Sequence, residues 1–253
     1  MRVWYPEETD DVFRTPCWVA RSGGKVAAAL QLHLTVEEPD AYLYWLVGGS
    51  GSEREVRALV SHVLQYLEAE GRSVLRSHRN PFAPGWQGVA DSWQHLLAPL
   101  REAPGELATD DWILYSCSSG DFRPCDVSPD YLRDVEPNPA QRQVAVRLRR
   151  GDDQVAESEL WLPPTTNASL VRAGVADLEW IEVEETHQRK GIGAMMLTAT
   201  MQEALALGVN TMVLWTEADN VAMQRLAQKS GFTRGPLLHW LTLTLAHAGK
   251  RPL

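Results

Sequence analysis

The feature that most constrains this chain is a strand that occurs twice. "AYLYWLV" (residues 41–47) and "ADLEWIEV" (176–183) align Ala41, Leu43 and Trp45 with Ala176, Leu178 and Trp180. Each segment runs into a polar, glycine-containing loop and then a helical pattern. Each pattern stops at a glycine, Gly71 or Gly208, as helices commonly do. A short strand follows each, "SVLRS" or "TMVLWT". Ahead of each lies a hairpin signal, Gly23-Gly24 or Gly151-Asp152-Asp153 between strand-like runs. Behind each lies a Trp-bearing strand, "DDWILYS" or "LHWLTLTL".

Strand, helix, strand in this order is a parallel crossover. The expected class is therefore α/β, with two similarly built modules. Each is a mixed, mostly antiparallel sheet around a central parallel β-α-β unit. The expected boundaries are residues 1–118 for the first module, a linker over 119–140 where Ser, Gly, Asp and Pro cluster, and 141–253 for the second. Within the linker, "SPDYLRDV" reads as one short helix with Ser128 as cap and Pro129 in its first turn.

Composition excludes several functions. A net charge of −9 argues against general nucleic-acid binding, which needs a basic face. It fits, weakly, a partner that carries positive charge. Cys17, Cys117 and Cys125 are odd in number and lack metal-type spacing, so they read as the reduced thiols of a cytoplasmic protein. The stretch "MRVWYPEETDD" turns acidic at once and does not read as a signal peptide. No apolar run reaches the roughly 18 residues of a membrane span. His78 and His95 have no ligand spacing, and no zinc pattern or nucleophile elbow occurs, so no metal is expected. Trp86 and Trp93, on an expected helix, read as core.

The second module carries the chemical signal, "HQRKGIGAMML" (187–197). Ile192, Met195, Met196 and Ala199 recur at helical spacing, so the loop Gln188–Gly193 opens a helix directly after a strand. A helix start leaves backbone N–H groups unpaired, and its dipole favours negative charge. Glycine lets a phosphate approach that backbone closely. Arg189 and Lys190 add charge from the side. The dinucleotide fingerprint fails because its third glycine is Met196, and the P-loop ending is absent.

What remains is Q-x-x-G-x-G, and here the sequence resembles the GNAT superfamily of N-acetyltransferases. "ADLEWIEVEETHQRKGIGAMML" keeps that family's strand, connection and loop in register. "EADNVAMQRLAQKSGF" resembles its following helix, matching at Asn220, Leu226, Gly231 and Phe232. The resemblance covers residues 141–247 clearly and is only architectural over 1–117. It implies that acetyl-CoA is the co-substrate and that a primary amine of a small molecule or peptide is the acceptor. By the same resemblance, Ile181 and Val183 offer backbone groups to the pantetheine arm. Gln188, Arg189, Lys190, Gly191, Gly193 and Ala194 hold the pyrophosphate, and Asn220 faces the cofactor. Glu179 and Asp177 are the candidate bases, Glu179 favoured. His187 reads as a surface residue of the loop.

Three departures matter. Where the family has a Tyr that protonates the leaving thiolate, this chain has Ala227. The segment before the second hairpin is short. In the first module the equivalent loop, "GGSGSERE", lacks the basic pair and places Glu53 and Glu55 where a pyrophosphate would sit. Ser52 and Glu55 are expected to form a capping box. The first module thus reads as folded but degenerate, without bound CoA. The alternative to an acetyltransferase is a non-catalytic protein that binds a ligand or an acyl-CoA on the same fold.

Overall fold

The computed structural model describes residues 3–4, 13–35, 38, 40–77, 88–163 and 173–246. Trp86, His78 and residues 164–172 lie outside these. The chain forms two compact units, one from the residues up to Asp111 together with Pro236 onward, the other from Trp112–Gly235.

The first unit contains β1 (Val3–Trp4), β2 (Phe13–Arg14), β3 (Cys17–Ser22), β4 (Lys25–Thr35), β5 (Asp40–Gly48), α1 (Glu53–Ala69), β6 (Val74–Ser77), β7 (Val89–Ala90) and α2 (Gln94–Arg101). β8 (Gly105–Ser118) starts here and continues into the second unit. The strand order is β1-β3-β4-β5-β6, followed by β14 (Thr233–Leu245). β5 and β6 pair in parallel across α1, as the crossover pattern requires. Val56, Leu59, Val60, Val63, Leu64 and Leu67 form the buried stripe of α1. They pack with Trp18, whose ring meets Tyr66 edge-on at 4.9 Å.

The second unit holds β9 (Leu132–Asn138), β10 (Gln143–Arg150), β11 (Asp153–Trp161), β12 (Val175–Val183), α3 (Ile192–Ala206), β13 (Thr211–Glu217) and α4 (Val221–Lys229). Its order is β8-β13-β12-β11-β10-β9. β12 and β13 pair in parallel across α3, and the other ladders are antiparallel. α3 packs on β10, β11 and β12 and buries Ile192, Met195, Met196 and Ala199. The α/β class and the two-module organisation with central β-α-β units are thus as the sequence indicates.

Four local readings change. The two Trp-bearing strands do not close the halves they follow in sequence: Trp112–Ser118 pair with β13 in the second unit, and Thr242–Thr244 pair with β6 in the first. "SPDYLRDV" is not a helix. Tyr131 N–H donates to Ser128 O at 3.0 Å in a tight turn, and Leu132 onward becomes the edge strand β9. A helix this short is marginal alone, whereas seven ladder positions on β10 satisfy the backbone directly. Arg147–Glu136 and Arg149–Asp134 add cross-strand ion pairs of little weight, since both are partly exposed. Ser52 does not cap α1: its hydroxyl donates to Gly49 O at 2.6 Å, and no side chain caps that helix. Trp93 precedes α2 and is 42% exposed, so it is not core.

The exchanged strand in the first unit is held by side-chain contacts as well as by its ladder. His239 on β14 is 7% exposed. Its Nδ1 lies 2.8 Å from Asp111 Oδ1 and its Nε2 lies 3.2 Å from Asp91 Oδ1. Both carboxylates are about half exposed, which screens the pairs. His239→Ala is expected to cost about 1–2 kcal/mol, measured as a lower thermal midpoint. An unchanged midpoint would show that the latch carries no stability.

Candidate functional site

The register of β12 decides the site. Glu159 on β11 pairs with Trp180, and the next residue, Leu160, pairs with Leu178. Glu179 is therefore an extra residue, a β-bulge that sets Glu179 and Trp180 together opposite Glu159. On the other side of β12, the parallel ladder with β13 ends at Leu178↔Leu214. Yet β12 runs on to Val183 and β13 to Glu217. A bulge bends its strand and raises the local twist, so the two strands part where it occurs. The gap has backbone groups of β12 along one edge, from Glu179 through Ile181 to Val183. Such edge groups take an extended ligand arm.

The loop beyond β12 is tied in place. Glu185–His187 form one 3-10 turn. Gln188 Nε2 donates to Val183 O at 3.1 Å, which returns the loop to the end of the strand. Lys190 Nζ donates to Thr186 O at 2.7 Å. Arg189 has φ +59° and Gly191 φ +83°. A non-glycine residue in that left-handed region is held there at a cost of about 1 kcal/mol. Gly191 is the N-cap of α3, and no side chain caps the helix. Ala194 and Met195 N–H groups return to Gly191 O, so the N–H groups of Ile192 and Gly193 are the ones that face outward. A Cβ at Gly191 would meet nothing within 4 Å, so the space before the helix is open. At Gly193 a Cβ would press on Leu226 of α4 at 3.3 Å and lie 3.8 Å from Val183. That glycine brings strand end, loop and α4 together. Among the described residues the Arg189 guanidinium has no hydrogen-bond or ion-pair partner.

The structure thus gathers Ile181, Val183, Gln188, Arg189, Lys190, Gly191, Gly193 and Ala194 around one gap and one helix start. Gln188 reaches this loop as a tether, with its amide spent on Val183. Asn220 caps α4, its side chain accepting from Met223 N–H at 3.0 Å. Ala227 is fully buried on α4. The candidate bases differ in setting: Asp177 is fully buried and accepts from Trp215 Nε1 at 2.9 Å, whereas Glu179 sits at the bulge and is half-buried. His187 meets Thr186 Oγ1 at 3.0 Å on the loop surface.

Trp215 was not among the residues singled out from sequence. The signal for it lay in an alternation slip. Apolar residues of β12 occupy 176, 178 and 180, then 181 and 183, a slip that marks the bulge and hence the end of the ladder beside Trp215. None of the three cysteines is disulfide-bonded. Burial pushes the Cys17 and Cys117 thiols up, which disfavours them as nucleophiles. No group of His, Cys, Asp and Glu among the described residues is arranged to hold a metal ion. Among the described residues no helix is long and apolar enough to cross a membrane.

Comparison with known proteins agrees with this geometry. Residues 119–232 match the model of the Acetyltransferase (GNAT) family. No curated protein matches the sequence. Among solved structures, a tandem GNAT protein from the clavulanic acid biosynthesis pathway, solved without AcCoA, superposes with a TM-score of 0.64 at 16% identity. That match covers 92% of this chain and 83% of the other. A GCN5-related N-acetyltransferase from Kribbella flavida gives 0.57 at 18% identity, with 91% of each chain covered. One from Sphaerobacter thermophilus gives 0.64 at 10% identity, covering 94% of this chain and 82% of that one. The fold is therefore the GNAT fold.

Trp215→Phe removes the indole donor to a buried carboxylate. It is expected to destabilise the protein by about 1–3 kcal/mol, seen as a lower urea midpoint with unchanged slope. A wild-type midpoint would show that this hydrogen bond does not hold Asp177.

Proposed function

We propose that the protein is an acetyl-CoA-dependent N-acetyltransferase acting on a primary amine of a small molecule or peptide. The observation that carries this reading is the coincidence of the strand gap with an uncapped, glycine-lined helix start flanked by Arg189 and Lys190. Outward N–H groups of Ile192 and Gly193, the helix dipole and two cations suit a pyrophosphate. The strand edge at Ile181 and Val183 suits the pantetheine amides. The match of residues 119–232 to the GNAT family supports an acyltransferase.

In this reading the acceptor arrives as an ammonium ion. Glu179, at the mouth of the gap, takes its proton, and Asp177 is the second candidate for that role. The neutral nitrogen attacks the thioester carbonyl, forming the N–C bond. Backbone N–H groups near Val183 stabilise the oxyanion. The C–S bond then breaks, the thiolate takes a proton, and the products are an acetamide, free CoA and one proton overall. Asn220 faces the cofactor from the start of α4. Ala227 supplies no hydroxyl, so the proton for the thiolate comes from another group or from water.

The second unit, Trp112–Gly235, is assigned the cofactor, in place of the expected bounds 141–253. The first, residues up to Asp111 with Pro236 onward in place of 1–118, is assigned a degenerate role. With Ser52 turned onto Gly49, no side chain consumes the N–H groups at the start of α1. The absence of a basic pair and the charges of Glu53 and Glu55 in the first turn of α1 carry that assignment alone. Three reduced cysteines fit a cytoplasmic setting. A second reading is favoured by the buried, hydroxyl-free Ala227: a protein that binds acyl-CoA on this fold without turnover.

Thiol release from acetyl-CoA with a panel of primary amines separates the two readings. The wild type is expected to release CoA, and Gly191→Val to lose acetyl-CoA binding by at least about a hundredfold because its side chain fills the phosphate space. Tight binding without release would favour the non-catalytic reading. Wild-type affinity in Gly191→Val would place the cofactor elsewhere.

A further inference from the structure

Residues paired across a ladder project to the same face of a sheet. Trp161 pairs with Asp177, and Asp177 with Val213. Trp215 lies two residues on from Val213, and its indole N–H reaches Asp177, which confirms the shared face. Glu159 lies two residues from Trp161, whose indole N–H donates to the Glu159 carboxylate. The bulge then brings Glu179 and Trp180 opposite Glu159. Val183, next to Gly193, lies on the α3 side. The face away from α3 thus carries three indoles, the carboxylates of Glu159 and Glu179 and the fully buried Asp177, beside the point where β12 and β13 part. Trp161, Trp215, Glu159 and Glu179 are half-buried, and Trp180 is 37% exposed.

This composition has a specific chemistry. Indole faces attract cations and take alkyl chains equally well. Carboxylates among them favour an ammonium ion and repel an anion. The indole N–H groups of Trp215 and Trp161, which would otherwise suit an anionic ligand, are already turned onto Asp177 and Glu159. A co-substrate whose phosphates sit at the start of α3 enters the gap from that side. The opposite face is left for the nucleophile.

We propose that this face is the acceptor site and that it selects cationic alkylamines carrying no anionic group. The ammonium and its neighbouring methylenes rest among Trp161, Trp180 and Trp215, within reach of Glu179. The inference rests on the N-acetyltransferase reading for its chemistry, and its binding test stands apart from turnover.

The test is calorimetric titration of n-butylamine, 1,4-diaminobutane and 4-aminobutanoate into the full chain saturated with CoA, with CoA binding measured first. The first two amines are expected to bind at least about tenfold more tightly than 4-aminobutanoate. Trp180→Leu and Glu159→Gln, made separately because either could disturb folding, are each expected to weaken n-butylamine by about tenfold while CoA affinity stays unchanged. Equal binding of 4-aminobutanoate, wild-type amine affinity in both variants, or CoA binding with no amine bound would overturn the proposal and leave the cofactor site standing. Amine discrimination without any CoA binding would uphold the cation site and overturn the acetyl-CoA reading.

Discussion

Parallel pairing between β12 and β13 ends at Leu178 and Leu214, and every feature of the candidate site follows from that ending. The one extra residue at Glu179 bends β12 away from its neighbour while keeping it paired to β11. A continuous ladder would leave no edge for an extended ligand. It would also set Glu179 and Trp180 on opposite faces, since strand side chains alternate. With the bulge, they share one position opposite Glu159. The same bend delivers Val183 to the loop, where Gln188 fixes it and Gly193 lets α4 close in. Strand register, loop conformation and helix start are one construction.

The first unit repeats the construction without its charge. In β5, Trp45 pairs with Gln31 and Leu43 with Leu32, which leaves Tyr44 as the extra residue. Among the described residues the β5–β6 ladder runs from Asp40↔Val74 to Leu43↔Ser77, in the register of the β12–β13 ladder. Tyr44 stands where the second unit has Glu179. The loop has glycines but no cations, and α1 opens with Glu53 and Glu55. Arg57 pairs with Glu53 and Glu102 and is committed to the surface. Both halves carry the bulge, whereas only the second has a basic pair, Arg189 and Lys190, in the loop before its helix.

Much of this was legible in the residues. The stripe of α1, the turns at Gly23-Gly24 and Gly151-Asp152, and the helix after Gly191 are local patterns whose periodicity or backbone demand is self-evident. The residues of the loop were legible because glycine and cation placement carries its own physics. Pairing over long distances was not. Nothing in "DDWILYS" or "LHWLTLTL" states which half will take the strand, since a ladder partner is chosen by tertiary context. "SPDYLRDV" has helical spacing, but an open edge on β10 outweighs it. Ser52 follows the pattern of a cap, yet its ψ of 19° turns its hydroxyl to Gly49 instead. The bulge was written in the alternation slip of both strands, a signal visible only when faces are counted residue by residue.

One half of a duplicated fold is proposed to retain the cofactor site. Its most direct test is the stoichiometry of acetyl-CoA binding to the full chain, measured by calorimetry. One site per chain is the expected result. Two sites would contradict the degenerate reading of the first unit, and no binding would contradict the assignment of Arg189, Lys190 and Gly191 to a pyrophosphate.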